Sequence, residues 1–312
     1  MSAGGDLPQS SPSSPLPKET GERAGAGWGI TAAGSLGFDD LTTPAGRRRE
    51  LPGGSALYSS LAASRFCAVR VAAVVGSDGS SLLDLLDAAA VDRSSVTQLP
   101  GVTYRWRAQH HPSQGVPVHE EQRLGVYMDW RPQLTPAARG SEILFLGSMH
   151  PARQLDVLQQ CRAARLVALD TMRDFIAGDR EKLEQLLQHT DLLFVNESEL
   201  RALTPSPGQG PLEAAREAVE RWHLQEVILK LGARGAATVS QTATREFPAA
   251  PGPSVVDPTG AGDALAGGLL GRLAQLQRTD SDAIDDGMAD GGRAARAAIA
   301  AFGAQGLMPL RE

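Results

Sequence analysis

Cysteine is nearly absent from the 312-residue chain, which carries only Cys67 and Cys161. Two thiols cannot build a disulfide framework, and nothing in the sequence has the spacing of a metal cluster. Both cysteines flank apolar stretches and are expected to be buried. Long hydrophobic runs are missing as well. None approaches the roughly 20 apolar residues of a membrane-spanning helix, and the N-terminus lacks the charged-then-apolar pattern of a secretion signal. A cytoplasmic location is the expectation, with no membrane partner. Positive charge is in short supply: 30 Lys and Arg stand against 36 Asp and Glu, a net charge of −6. That balance argues against nucleic-acid binding through a basic face. It leaves room for a small anion, because a few placed amides outweigh the global sign. The dipeptide Gly-Lys occurs nowhere, so there is no Walker A loop. Protein-kinase and nucleophile-elbow signatures are absent too.

What is present suits one large core. Hydrophobic residues make up 42% of the chain, and the length sits at the upper end of what a single core organises. Residues 1–27 are rich in Ser, Pro and Gly and read as a disordered tail; folded sequence is expected over 28–312. Short apolar runs at 28–34, 69–75, 143–147, 166–170, 192–196 and 226–231 read as strands. Helical patterns fall between them at 80–90 (opening on a Ser80 cap), 154–162, 180–188 and 212–222. This alternation predicts an α/β fold with a mostly parallel central sheet between helices. Segments 40–52 and 102–126 break the rhythm, the second continuing through a His/Pro/Gly-rich turn to Gly125-Val126-Tyr127. They read as polar strands of a small β-lid over the C-terminal edge of the sheet, or as surface loops. His110 and His111 fall in a loop tip and are given no chemistry.

The sharpest motif is Asp257-Pro258-Thr259-Gly260-Ala261-Gly262-Asp263, followed by Ala264-Leu265-Ala266-Gly267-Gly268. It describes a tight turn opening a helix, where glycines let N–H groups converge and the helix end adds positive charge, making an anion pocket. A carboxylate beside such a pocket would repel the anion unless it has a second task. Accepting a proton from an attacking hydroxyl is such a task for Asp263. The plainer alternative is an acid-capped helix with small residues for close packing. A dinucleotide fingerprint would need glycine where Leu265 stands.

This motif resembles the C-terminal signature of the ribokinase-like (PfkB) carbohydrate kinases, and the similarity runs from about Gly34 to Leu307. Gly34-Ser35-Leu36-Gly37-Phe38-Asp39 is similar to the family's first strand. Pro52-Gly53-Gly54-Ser55-Ala56 resembles its di-glycine turn, and Val75-Gly76-Ser77-Asp78 follows in family order. Asn196-Glu197-Ser198-Glu199 matches its Asn-x-x-Glu motif. Lys230-Leu231-Gly232-Ala233-Arg234-Gly235 matches its Lys-x-Gly-x-x-Gly stretch.

The resemblance implies a three-layer α/β/α ribokinase-like core with a β-lid, and an ATP-dependent kinase acting on an alcohol group of a small sugar. Asp263 would be the catalytic base, and the amides of Gly260, Ala261, Gly262 and Asp263 would hold charge on the transferring phosphoryl group. Asp39, or its neighbour Asp40, would bind acceptor hydroxyls beside Gly53 and Gly54. Asn196 and Glu199 would organise Mg²⁺ through its waters, although the same tetrapeptide is a capping-box pattern. Lys230, Gly232 and Gly235 would lie on the ATP side; Lys230 equally suits a solvated charge at a strand end. Asp257 and Thr259 match positions that hold a monovalent cation, K⁺, in some members. Tyr58 stands where many sugar kinases carry Asn, and either stacks on a ring or fills the core. Asp170, at a strand end, is a further acceptor-site candidate. A nucleoside kinase of the same fold, with Tyr58 and Trp106 around a base, and a catalytically silent ligand sensor are the alternatives. Homodimers through lid strands are common in this architecture.

Overall fold

A computed structural model describes residues 27–110, 117, 119–205, 208–249, 252 and 254–308. All but the last residue of the expected N-terminal tail lies outside the described residues, as does His111.

The chain begins with β1 (Ile30–Ala33), β2 (Gly37–Thr43), β3 (Gly46–Gly53), α1 (Ser55–Ala63), β4 (Val69–Val75), α2 (Ser80–Ala88) and β5 (Asp92–Gln98). There follow β6 (Tyr104–Gln109), β7 (His119–Arg123), α3 (Pro136–Arg139), β8 (Ile143–Leu146), α4 (Pro151–Leu158) and β9 (Leu166–Asp170). Next come α5 (Arg173–Gly178), α6 (Arg180–Leu187), β10 (Leu192–Asn196), α7 (Glu197–Leu203), α8 (Pro211–Trp222) and β11 (Glu226–Lys230). The chain closes with β12 (Ala236–Val239), β13 (Thr244–Phe247), α9 (Ala261–Leu276) and α10 (Ser281–Ile299).

Among the described residues, nine strands form the main sheet in the order β13-β12-β11-β10-β9-β8-β1-β4-β5. Neighbours from β11 through β5 are parallel, and β12 and β13 add an antiparallel edge. Successive strand residues point to opposite faces, and the apolar residues divide accordingly. Ile143 and Phe145 join a core with α1, α2, α9 and α10, whereas Leu144 and Leu146 join a second core with α4, α6 and α8. Strands buried on both faces read as continuous apolar runs, which is why they were legible. Helices on both faces of this sheet make the expected three-layer α/β/α architecture.

Helix α9 lies close on α1 because its contact face is built of small residues. A side chain at Gly267 would come within 2.1 Å of the Ser59 carbonyl. The expected Ser80 cap is a correction: the N-cap is Gly79, with no side-chain hydrogen bond. Helix α4 starts at Pro151, three residues before the expected Gln154, because Pro fits the first helical position and His150 caps it. Cys161 is buried, but Cys67 is only half-buried.

The two segments that broke the alternation form a separate four-stranded sheet, β3-β2-β6-β7, standing off the main sheet as the lid. Gly125–Tyr127 is a 3₁₀ turn rather than extended chain. Pairing of Asp39 with Trp106 and of Asp40 with Arg107 fixes what each lid face carries. Asp39, Trp106 and Ala108 share the face turned toward the core; Asp40, Arg105 and Arg107 share the outer one.

Candidate active site

The turn at residues 257–263 joins the main sheet's carboxyl side to α9. Gly260 is its N-cap, with φ of 74°. A side chain there would be strained, and would also lie 2.3 Å from the Tyr58 ring. The Ala264 N–H bonds the Gly260 carbonyl at 2.9 Å. The N–H groups of Gly262 and Asp263, earlier in the first turn, have no helical acceptor, as at any helix start. Sequence pattern therefore opens the helix on amides without helical acceptors, Gly262 N–H among them, with the partial positive charge of a 16-residue helix behind the turn.

Asp263 stands in this first turn. Burial first, and then the neighbouring Asp170 carboxylate, push its carboxyl up to about 7, with Lys230 acting in the opposite sense. Lys230, at the end of β11, reaches back under the turn: a side chain at Gly262 would meet its Cδ and Nζ at 3.2 Å. Its ammonium donates to both oxygens of Asp170, at 3.0 and 2.9 Å. Burial weakens the hold of Lys230 on its proton; the Asp170 and Glu199 carboxylates more than offset this, so the net shift is upward.

Asp39 lies at the base of the lid sheet, 3% exposed. Burial raises its carboxyl well above the usual range, and Asp257 and Asp263 add to the rise. Gly53 packs on it so closely that a side chain there would meet Oδ2 at 2.0 Å, and Gly54 caps α1. The neighbouring Asp40 faces the other way, accepting from the Glu50 N–H at 3.0 Å and pairing with Arg107. Tyr58, on α1, is buried, and its hydroxyl has no partner among the described residues. Burial and then Asp39, Asp257 and Asp263 hold its proton on. Asp39, Tyr58 and Asp263 thus face one space from three elements.

Asn196 and Glu199 build the capping box of α7. The Asn196 carbonyl oxygen accepts from the Ser198 and Glu199 N–H groups, and Glu199 Oε2 accepts from the Asn196 N–H at 2.8 Å. Burial raises the Glu199 carboxyl to about 7, with Lys230 opposing and Asp170 adding. Glu199 Oε2 is the oxygen that closes the cap. No group of three or more His, Cys, Asp or Glu among the described residues forms a metal cage. Gly232 and Gly235 frame a 3₁₀ turn after β11, with open space around Gly232.

Asp257 is fully buried. Its oxygens accept from the Thr259 N–H at 3.0 Å and the Gly303 N–H at 2.9 Å. It has no ion-pair partner among the described residues.

Two contributors escaped sequence reading. His110, at the end of the lid, touches the Thr259 hydroxyl through Nε2 at 3.1 Å, and its buried Nδ1 has no partner among the described residues. Glu120, on β7, accepts from the Trp106 indole N–H at 3.3 Å. Strand alternation across 104–110 places His110 on the Trp106 face, a signal hidden by the loop composition around it. Two cavities lie away from this chemistry. One of about 470 Å³ runs over the charged outer lid face, bordered by Arg49, Arg105 and Glu121. The other, of about 290 Å³, lies between α7 and α8.

A cytidine kinase from Thermococcus kodakarensis is 28% identical over 247 residues, covering 77% of this chain and 87% of that protein. The fold matches a Methanocaldococcus jannaschii nucleoside kinase with a TM-score of 0.73 at 19% identity, over 92% of this chain and 96% of the other. It also matches a Vibrio cholerae fructokinase solved with fructose, ADP and potassium ion, with a TM-score of 0.74 at 19% identity, over 92% and 97% of the two chains. The pfkB family carbohydrate kinase model matches residues 30–310, and the chain belongs to that family.

Proposed function

We propose that this chain transfers the γ-phosphoryl group of ATP to a hydroxyl of a small sugar or sugar derivative, with Asp263 as general base. The observation that carries this reading is the placement of Asp263. It is a half-buried carboxyl pushed up to about 7, in the first turn of α9. A base that titrates near neutrality is matched to removing a hydroxyl proton.

Asp39 accepts hydrogen bonds from acceptor hydroxyls, since a carboxylate offers several lone pairs in one plane. The Tyr58 hydroxyl faces the same space. Asp263 takes the proton from the attacking oxygen, and the amides from Gly260 to Asp263 meet the charge on the transferring group. Gly232 and Gly235 border the nucleotide. Glu199, with Asn196, would hold waters of Mg²⁺, which when bound neutralises phosphate charge. Asp257, beside Thr259, would favour a monovalent cation such as K⁺ behind the turn.

The lid favours a nucleoside as the acceptor. Trp106 shares the inner lid face with Asp39, giving a base a surface to stack on. Glu120 beside it can accept from an exocyclic amine. The cytidine kinase similarity points the same way.

The test is ADP release from Mg·ATP with a panel of pentoses, hexoses, sugar phosphates, inositols and nucleosides, with Asp263→Asn alongside. Acceptor-dependent turnover that collapses in the variant supports the reading. Release that survives in Asp263→Asn removes Asp263 as base. Acceptor-dependent thermal stabilisation without turnover marks a sensor instead.

A further inference from the structure

Carboxylates crowd this site: Asp39, Asp170, Glu199, Asp257 and Asp263. Lys230, half-buried, is the ammonium among them, and its position is set from outside the anion turn. Both oxygens of Asp170 grip Nζ. Asp170 Oδ1 is itself fixed by the Thr171 N–H at 2.8 Å. The Asp170 carbonyl accepts from Gln154 Nε2 at 2.9 Å, and the same nitrogen donates to the Gly147 carbonyl. Asp170 is 3% exposed, so its carboxylate is committed to Lys230 rather than presented to an acceptor. Parallel pairing through β9, β10 and β11 puts the two residues at the same sheet edge. The ammonium then lies beneath Gly262, whose amide is among those without a helical acceptor.

We propose that Asp170 is a positioning residue for phosphoryl transfer: its two-oxygen grip aims the Lys230 ammonium at the anion turn, where Lys230 contacts the terminal phosphoryl group of ATP as a catalytic cation. This deepens the ATP-dependent reading above and rests on it. A purely structural Lys230 would only neutralise its carboxylate neighbours. A cation aimed at the terminal phosphoryl group adds discrimination between ATP and ADP, because only ATP places a charge there.

The experiment measures calorimetric affinities for Mg·ADP and for a non-hydrolysable Mg·ATP analogue. It uses the full chain, Lys230→Met, Asp170→Asn and the double variant, and needs no known acceptor. The expected result is a preference for the analogue in the wild type, reduced about tenfold in each variant, with ADP affinity nearly unchanged. The double variant should be no worse than Lys230→Met, since both changes remove one device. Asp170→Asn leaves a half-buried ammonium unpaired and is the variant prone to unfolding. The double variant removes both charges and keeps the comparison available.

Retained preference in Lys230→Met overturns the proposal, as does a loss in Lys230→Met that Asp170→Asn does not share. A wild-type chain that binds neither nucleotide overturns the ATP-dependent reading itself, a distinct result. With an acceptor in hand, Asp170→Asn should lower kcat and leave the acceptor KM near the wild-type value. A raised KM with unchanged kcat would make Asp170 an acceptor ligand instead. In Lys230→Met the acid limb of the kcat profile should move to higher pH, because the ammonium lowers the Asp263 carboxyl. An unmoved limb would assign Lys230 no place beside the reacting atoms.

Discussion

His110 Nε2 lies 3.1 Å from the Thr259 hydroxyl, joining the end of lid strand β6 to the turn that opens α9. One residue follows the lid strand and the other sits in the turn before α9, so their contact ties the lid to that turn. Burial lowers the imidazole proton affinity, with Asp257 opposing, and a neutral ring suits a bond to a hydroxyl. Removing it should loosen the lid. Thr259→Val and His110→Ala are each expected to raise the acceptor KM about 5- to 10-fold, the scale of one lost hydrogen bond of about 1 kcal/mol. Acceptor-independent ATP hydrolysis should rise at the same time, because water enters a site that no longer seals. Steady-state kinetics with and without acceptor reads both. Unchanged values in both variants would make the contact incidental.

Asp263→Asn keeps the shape of the side chain and removes the base. Turnover should fall by about 100- to 10,000-fold, the usual contribution of a placed general base. The KM values should move little, since Asp263 acts on the transition state rather than on binding.

The pH dependence has two signs. A base at Asp263, as proposed above, works only when ionised, so kcat should rise with pH through an acid limb near 7. Stability should run the other way. Asp263 and Glu199 have folded-state values raised to about 7, so between the unfolded carboxyl range and 7 the native state binds more protons than the unfolded state. Unfolding free energy therefore falls as pH rises through that window. Thermal melts should show a more stable chain at pH 6 than at pH 8. Asp263→Asn should remove part of the difference, on the order of 2 kcal/mol. A melting temperature higher at pH 8 than at pH 6 would refute the assignment.

Tyr58→Phe separates binding from stability. The hydroxyl is buried without a partner among the described residues, so deleting it relieves a desolvated polar group. Stability should hold or rise by about 1 kcal/mol, while the acceptor KM should rise several-fold if the hydroxyl serves the acceptor. Gly260→Ala should be harmful on both counts. Its Cβ overlaps the Tyr58 ring and the φ of 74° disfavours any side chain. Denaturant melts and acceptor titrations check the pair.

Much of the core could be read before any coordinates. Leu192–Asn196 and Val69–Val75 are strands buried on both faces, and their apolar runs announce them. The anion turn was legible for a similar reason: Gly-Ala-Gly-Asp encodes a backbone shape, and backbone shape is local. The edge strand β5, reading DRSSVTQ, was not legible, because an edge strand with exposed polar residues has no apolar alternation to reveal it. Neither was α10, whose buried face carries Ile284 and Met288 among alanines and glycines, few large apolar side chains to mark a helix.

The alternating α/β order, the di-glycine and Gly-Ala-Gly turns, and the residue types available for acid–base and phosphate chemistry are written in the local sequence. These follow from short-range rules of burial, capping and glycine conformation. Long-range packing sets the rest: Lys230 pairs with Asp170, Asp39 rather than Asp40 faces inward, and His110 reaches Thr259. The first pairing spans 60 residues and the last 149. Such partners are chosen by sheet register and lid placement, and no local pattern encodes either.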